Sequence, residues 1–480
     1  MSSSGAMNSY FKSQGHAVVI GAGIAGLLAA RVLSDYFLRV TLLERDALPD
    51  MPHARKGAPQ GRHAHGLLLR GQQILSQFFP GLVQHLIAQG ATAVRLGRDL
   101  RWFHFGCWKK GFASDLTSLS VSRPLLEHEV RRRVMQLPNV TIIEGAIVTR
   151  YVTDWEKARI TGVCIRGRGS QLPEDSVHAD LIVDASGCGS QTPRRLAELG
   201  YAQPPESLVK VDYAYASRVY ERPARAPDWK NLYVLDRPPS PRGGLVWSME
   251  GNRWMVMLVG CHGDHPPTDE AGFLAYARSL PVPDLYTAIA DARPLGPIVL
   301  HGFPSSQRRY YERLSRFPIG LIVIGDALCS FNPVYGQGMT VSALEAKLLD
   351  ECLKELVARR TPNLDALTAN FRQRVAGVLA LPWQLATSED LRFPQTPGHR
   401  GWKVRFIHWY MERLHEAAGV SERVAKRFYA VSNLLAPRAG LFSRDVLVDV
   451  LRVARRRVRP TAASYGPSSQ SLPQRDSRAA

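Results

Sequence analysis

His16-Ala17-Val18-Val19-Ile20-Gly21-Ala22-Gly23-Ile24-Ala25-Gly26, followed by Leu27–Leu33 and then by Val40-Thr41-Leu42-Leu43-Glu44-Arg45, decides how this chain folds. Five residues of short apolar strand lead into three glycines spaced GxGxxG. The apolar residues after them fall at helical spacing, and a second apolar strand ends on an acid. Alone the glycine pattern says little. Placed as strand, GxGxxG, helix, strand, acid, it predicts a dinucleotide-binding βαβ unit. Gly21 is read as the tight turn, Gly23 as the point where a pyrophosphate approaches the backbone, and Gly26 as the contact between helix and strand. Ile24 and Ala25 stand at the helix start. Glu44, with Arg45 beside it, is placed to accept from ribose hydroxyls, the alternative being a solvated acid at a strand end.

Two later stretches belong with this one. Ala179–Asp184 is a strand that leads into Ala185-Ser186-Gly187-Cys188-Gly189-Ser190 and a basic helix from Thr192 to Leu199. Leu321-Ile322-Val323-Ile324 is another, followed by Gly325-Asp326-Ala327, then Phe331-Asn332-Pro333-Val334-Tyr335-Gly336-Gln337-Gly338-Met339 and an amphipathic helix from Thr340 to Leu356. The glycines around Gln337 allow close backbone approach, and the helix directs its free N–H groups toward the same place. Such a loop suits an electron-rich ring or a phosphate.

Between these parts the pattern changes. Trp102–Trp108 reads as an aromatic strand. Ser122 reads as an N-cap, with Arg123 and Pro124 opening a helix; Arg123 stands either at a ligand or on the surface. Val140–Glu144, Ile147–Val152 and Ile160–Ile165 read as strands. Val211–Tyr220 alternates with period two, and Gly244–Met249 with Trp254–Val259 forms a hairpin. This antiparallel sheet, rich in Tyr, Trp and Met, is suited to roof an apolar pocket; Tyr213, Tyr215, Trp247 and Met257 are the pocket candidates, with a plain aromatic core as the alternative. After Thr361 the chain reads as helical, interrupted at Pro382, Pro394 and Pro397. The stretch Trp402–Leu414 mixes aromatic and basic residues, so it is read as a lid over the pocket or as a membrane-surface contact.

The boundaries follow. Residues 15–100, 122–200 and 311–360 form the cofactor-binding domain in three pieces, with 101–121 a strand excursion. Residues 201–310 form the substrate sheet and 361–459 a helical region. Residues 1–14 and 460–480 are polar and expected to be disordered.

Composition narrows the partners. The chain has 480 residues, 61 Lys and Arg against 42 Asp and Glu, and a net charge of +19. No nucleic-acid motif accompanies that charge, so no nucleic acid is expected. The excess concentrates between Arg400 and Pro460, where 14 basic residues face 5 acids; anionic lipid or an acidic partner would suit it. Six scattered cysteines without a CxxC pair point to reduced core thiols and a cytoplasmic setting, with membrane association as the variant. No apolar run is long enough to span a bilayer. The loop Arg55-Lys56-Gly57-Ala58-Pro59-Gln60-Gly61-Arg62-His63-Ala64-His65 offers cations to a phosphate, Lys56 among them. Two histidines without a third ligand read as hydrogen-bonded loop residues, so no metal is expected.

Taken together, Gly21-x-Gly23-x-x-Gly26 with Glu44, the Asp184–Ser190 stretch, and Gly325-Asp326 with Pro333-x-x-Gly336-x-Gly338 resemble the FAD-dependent flavoprotein monooxygenases of the p-hydroxybenzoate hydroxylase and squalene epoxidase type. The 55–65 and 331–339 segments look like those of the bacterial polyether-type olefin epoxidases. The resemblance implies an α/β fold. It has a Rossmann-like FAD-binding domain of the glutathione-reductase type, an inserted antiparallel-sheet substrate domain and a C-terminal helical region. It implies FAD as cofactor, with Glu44 at the ribose, Arg123 near the diphosphate or flavin, and Asp326 at the ribityl and diphosphate portion. Pro333 would lie at the flavin face, Gly336–Gly338 at its N1/C2 edge, and Met339 on the helix that follows. It implies NAD(P)H as electron donor, oxygen activation as a flavin C4a-hydroperoxide, and transfer of one oxygen to a lipophilic alkene or aromatic natural product of polyketide or isoprenoid type, as in antibiotic biosynthesis.

No acid–base pair is evident in the middle domain, which favours epoxidation over ring hydroxylation. Serine at 186, where the family often has Asp-Gly, leaves open whether NAD(P)H acts directly or through a separate flavin reductase. The alternatives are an aromatic hydroxylase, a flavin-dependent reductase or desaturase of an isoprenoid chain, a flavin-dependent halogenase (whose Trp-x-Trp-x-Ile-Pro signature is absent), and a non-catalytic flavin-binding partner.

Overall fold

The structure, a computed structural model, describes residues 14–55, 57–169, 174–358 and 364–458. The polar ends at 1–13 and 459–480 fall outside the described residues. Five parallel strands form the first layer, in the order Leu321–Val323, Leu181–Asp184, His16–Ile20, Arg39–Glu44 and Val140–Glu144. The residues of His16–Ile20 and Leu181–Asp184 are all buried, as continuous apolar runs in a sheet covered on both faces require. The helices Ile24–Leu33 and Gly338–Val357 pack against each other beside this sheet. Both place their N-termini at the sheet's carboxyl edge, where open α/β sheets carry their ligands.

Gly21 shows why the fingerprint needs glycine. Its φ is +99°, and a Cβ there would stand 2.6 Å from the Ala185 carbonyl oxygen. At Gly26 a Cβ would meet the Gly21 oxygen at 1.8 Å. The turn and the helix thus close on each other and on the loop after Asp184.

The second layer is an eight-stranded sheet, in the order Cys329–Ser330, Val299–Arg309, Glu206–Glu221, Arg253–Cys261, Gly243–Met249, Asn231–Leu235, Leu100–His104 and Cys107–Trp108. It departs from the antiparallel expectation at one pair, because Asn231–Leu235 runs parallel to Leu100–His104. The excursion near residue 100 enters from the first domain rather than through a hairpin, so nothing forces it to reverse. A bulge between Lys210 and Tyr213 bends the long central strand.

The helical region departs from expectation at Pro382, which does not interrupt it. One helix runs from Leu364 to Asp390 with Pro382 inside. The proline forfeits a backbone hydrogen bond, but Val375, Leu379, Pro382 and Ala386 are all buried along this helix. Their packing holds the helix across the gap. Pro394 and Pro397 do lie past its end. The helices Trp402–Val420, Glu422–Ser432 and Arg444–Val458 then close a separate core that includes Leu414, Tyr429 and Val450. Among the described residues, no helix is long and apolar enough to cross a membrane.

Candidate functional site

Beside the glycine loop stands a cluster of charges. Glu44 is buried; its Oε2 accepts from the Ala22 N–H at 2.9 Å and pairs with Arg55 Nη1 at 3.1 Å. Arg55 also pairs with Asp46 and, at 3.1 Å, with Glu127 Oε1. Glu127 Oε2 takes Arg123 Nη2 at 2.9 Å. Ser122 caps the same helix, accepting from the Leu125 N–H at 3.2 Å. Two guanidiniums are thus held by one buried carboxylate at a helix start, an arrangement fit for phosphate oxygens. Arg55 is the cation nearest the fingerprint, its Nη2 lying 3.9 Å from where a Gly23 Cβ would be. Lys56 lies outside the described residues. Arg45 is exposed and takes no part in the cluster.

Across from it, Asp326 sits in the Gly325–Ala327 turn. Burial raises the affinity of its carboxyl for a proton, and the Arg123 charge lowers it. The turn is held by Glu345, whose Oε2 accepts from the Gly325 N–H at 2.7 Å. Burial pushes Glu345 up to about 8, and its Oε1 is buried without a partner among the described residues. Asp184 organises the second motif: Oδ1 accepts from the Ser186 N–H at 2.9 Å, and Oδ2 from Ser190 and Thr192 Oγ atoms at 2.5 Å. The Ser186 hydroxyl bonds back to Asp184 as well.

The Pro333–Gly336 loop is fixed from beneath. Gly336 has φ +62°, which glycine takes without strain. Asn332 is buried, and its Oδ1 accepts from the Val334 N–H at 3.3 Å and from the Tyr215 hydroxyl. Its Nδ2 donates to Asp390 Oδ1 at 3.2 Å, which also accepts from the Tyr335 hydroxyl at 2.8 Å. Asp390 is fully buried, its Oδ2 has no partner among the described residues, and burial pushes it up to about 7. Gln337 Oε1 is likewise buried and, among the described residues, unpartnered at the start of the Gly338–Val357 helix.

A cavity of about 300 Å³ opens on this loop. Pro333, Tyr335, Gly336 and Gln337 form one side. Of the four pocket candidates, Tyr213, Trp247 and Met257 line it. Tyr215 does not; it lies one layer beneath, where its hydroxyl also accepts from the Val334 N–H at 3.2 Å. Of the Trp402–Leu414 stretch expected as a lid, Met411 lines the wall; His415, just past that stretch, does so too, with Phe428 and Tyr429 from the next helix. Outward, Trp402, Phe406 and Trp409 remain exposed, at 69%, 50% and 41%.

The loop histidines are engaged by protein. His63 Nδ1 lies 2.8 Å from Ser217 Oγ, and His65 Nδ1 lies 3.0 Å from the His63 carbonyl. Burial depresses them to about 3 and about 4. Among the described residues, no group of three or more His, Cys, Asp or Glu side chains is arranged to hold a metal ion.

Several residues escape sequence reading. Arg55 was one place from the expected cation, and Glu127 is betrayed only by its i,i+4 spacing from Arg123. Asp390, His104 and His415 carry no local signal, since tertiary packing alone brings the two histidines to the cavity and Asp390 to Asn332 and Tyr335.

The donor set fits FAD. Fixed guanidiniums, an open approach at Gly23, a half-buried acid at 326 and an unpartnered amide oxygen at 337 lie along one carboxyl edge. Comparison with known proteins agrees. No family model matches the chain. Protein Rv3254 of Mycobacterium tuberculosis (strain ATCC 25618 / H37Rv) is 33% identical over 472 residues, covering 94% of this chain and 98% of that protein. Squalene monooxygenase SE1 of Panax ginseng is 24% identical over 71% of this chain, which spans 58% of that longer protein. Among solved structures, PqsL of Pseudomonas aeruginosa, described as a probable FAD-dependent monooxygenase, superposes with a TM-score of 0.59 at 17% identity, over 79% of this chain and 98% of that one. The chain belongs to the FAD-dependent monooxygenases, oxidoreductases that use FAD with NAD(P)H as the electron source.

Proposed function

We propose that this enzyme transfers one oxygen atom from O2 to a carbon–carbon double bond of a lipophilic natural product, of polyketide or isoprenoid type. The observation that carries this reading is the cavity, whose wall of Trp102, Tyr233, Trp247, Met257, Phe393 and Phe428 adjoins the Pro333–Gln337 loop. When bound, FAD supplies the activation of oxygen. The chain's own residues hold, orient and shield. Gly21, Gly23, Ile24, Ala25 and Gly26 receive the diphosphate, with Arg55 and Arg123 as its counter-charges and Glu44 at the ribose. Asp326 takes the ribityl end, and the backbone from Gly336 to Met339 faces the ring edge. The aromatic wall excludes water and keeps the double bond over the ring. Residues 15–100, 122–200 and 311–360 thereby serve the cofactor, and 201–310 with 361–459 serve the substrate.

Ring hydroxylation is the second reading, and one observation favours it. Tyr335 and Asp390 form an acid–phenol pair beside the loop, from outside the middle domain where no such pair was evident. Turnover under ¹⁸O₂ with a matched polyene and phenol decides between them. An ¹⁸O-epoxide supports the first reading; labelled phenol with the polyene untouched overturns it. Electron delivery is proposed through a separate flavin reductase, since Ser186 is spent on Asp184; NADPH or NADH alone reducing the bound flavin at turnover rate would refute that. The exposed Trp402, Phe406 and Trp409, flanked by Lys403 and Arg405, are proposed to touch an anionic membrane surface. Cosedimentation with phosphatidylserine vesicles that survives Trp402→Ser/Phe406→Ser/Trp409→Ser would exclude it.

A further inference from the structure

One part of the cavity wall is not apolar. His104 ends the Leu100–His104 strand, and His415 comes from the Trp402–Val420 helix; both line the cavity. Their rings lie 4.8 Å apart and edge-on. Phe105 packs on both, at 4.3 and 4.6 Å, and Phe428 packs on His415 at 4.8 Å. Neither ring makes a hydrogen bond among the described residues, and the Nδ1 of each is sealed from water. A neutral imidazole carries one donor and one acceptor. A sealed Nδ1 is closed to the cavity as well, so only Nε2, which is not sealed, can meet an occupant; with Nδ1 bare, each ring offers an Nε2–H donor on the cavity wall.

Behind the pair lies a charge. Lys109 is buried, and its Nζ donates to the carbonyl oxygens of His104 and His415, each at 3.1 Å. No carboxylate stands within ion-pair distance of it among the described residues. Its third polar neighbour is the Cys107 thiol, at 3.8 Å, and the Glu416 carboxylate that also acts on it pairs with Arg237 at 3.1 Å and Arg413 at 2.7 Å. Burial lowers Lys109 to about 8, and burial with the Lys109 charge keeps both imidazoles neutral. The Glu389 carboxylate, also on the wall, is neutralised by Arg392, whose Nε lies 2.6 Å from it. This end of the cavity thus holds two unused imidazoles backed by an ammonium that has no carboxylate partner among the described residues; the wall's other carboxylate, Asp236, accepts from the Arg237 N–H at 2.7 Å.

We infer that the His104–His415 end of the cavity, backed by Lys109, binds an anionic oxygen head, a carboxylate or ionised enol, on the lipophilic substrate. The inference rests on the proposed reading of the cavity as the substrate site. An anion there accepts from the Nε2–H of each imidazole and lies on the side of the cavity that the buried ammonium backs. It also sets which double bond reaches the loop, because a head held at one end measures the tail by length. The enzyme then acts on substrates that are acids at the time of oxygen transfer, so any step that esterifies the acid must follow it.

The test is binding to oxidised, FAD-loaded enzyme without reductant, by quenching of tryptophan fluorescence. Arachidonate, its methyl ester and the corresponding alcohol share one polyene tail. The acid is expected to bind about tenfold more tightly than the ester or alcohol. Lys109→Met should bring the three within about twofold of each other. His415→Phe, which keeps the ring packing on Phe105 and Phe428, should do the same and serves should the lysine variant fail to retain FAD. Equal affinity for acid and ester in the wild type, failure of the acid to bind, or an acid preference that survives both substitutions overturns the inference. Product analysis reads the other reading separately: a preference for the acid with no epoxide sinks epoxidation alone, and epoxide formed without that preference sinks the head-group site alone.

Discussion

Asp390→Asn should change how stability responds to pH, and the size of the change follows from one buried carboxyl. Asp390 is fully buried, and burial raises it from 3.8 to about 7, against the Tyr335 and Asn332 hydrogen bonds that favour its charged form. The unfolded chain ionises it near 3.8, whereas the folded chain keeps its proton until about 7. Folding therefore takes up a proton between those limits. The stability tied to this proton is whole below pH 3.8 and is lost as pH rises through 7. About three pK units at 1.36 kcal/mol each give on the order of 4 kcal/mol. Asparagine mimics the neutral acid: its carbonyl oxygen accepts from Tyr335 and Asn332, and its amide takes the place of the unpartnered Oδ2. Urea unfolding of both proteins from pH 4.5 to 8 checks this. The two should be close at the acid end and diverge toward neutrality, the variant becoming the more stable. Parallel curves across the range would show that Asp390 does not carry a raised affinity for its proton.

Three further substitutions test the cofactor cradle. Gly23→Val places branched carbon where only the Arg55 guanidinium now approaches, so the purified protein should lack flavin absorbance while keeping its far-ultraviolet spectrum. Asp326→Ala removes the half-buried acid of the Gly325–Ala327 turn, and FAD affinity measured by ultrafiltration should fall at least about tenfold, the worth of one charge-assisted hydrogen bond. Gly26→Ala drives a Cβ to 1.8 Å from the Gly21 oxygen; the thermal midpoint should drop by many degrees or soluble protein should vanish, and an unchanged midpoint would refute the close approach.

The βαβ unit was legible because its signals are local: a strand, three glycines and an acid within thirty residues report one geometry. The Gly325–Met339 loop was legible for the same reason. What escaped depends on contacts across the chain. Asp390 meets Asn332 across 58 residues and Tyr215 meets it across 117. His104 and His415 come from opposite ends of the chain. A lone acid in a helix or a lone histidine at a strand end reads the same whether packing leaves it in solvent or seals it beside a cavity. Pro382 misled for the converse reason, since a local rule about helices yielded to burial along one face. Trp247 and Tyr215 stood equal as aromatic residues of one sheet. Only the bend of the sheet over the loop separates a wall residue from a supporting one.

Asn433 joins segments more than 360 residues apart: its Oδ1 accepts from the Leu69 N–H at 3.1 Å, and its carbonyl accepts from the Arg70 N–H at 3.3 Å. Both contacts reach a helix made early in synthesis. A nascent chain can therefore complete the glycine cradle and the central sheet while the cavity still stands open on one side, its apolar lining unprotected. Closure waits for the ribosome to release the segment around Asn433. Chains stopped short of it would leave that lining exposed, so the carboxyl-terminal helices cover the apolar surface of the sheet as well as forming a wall of the pocket.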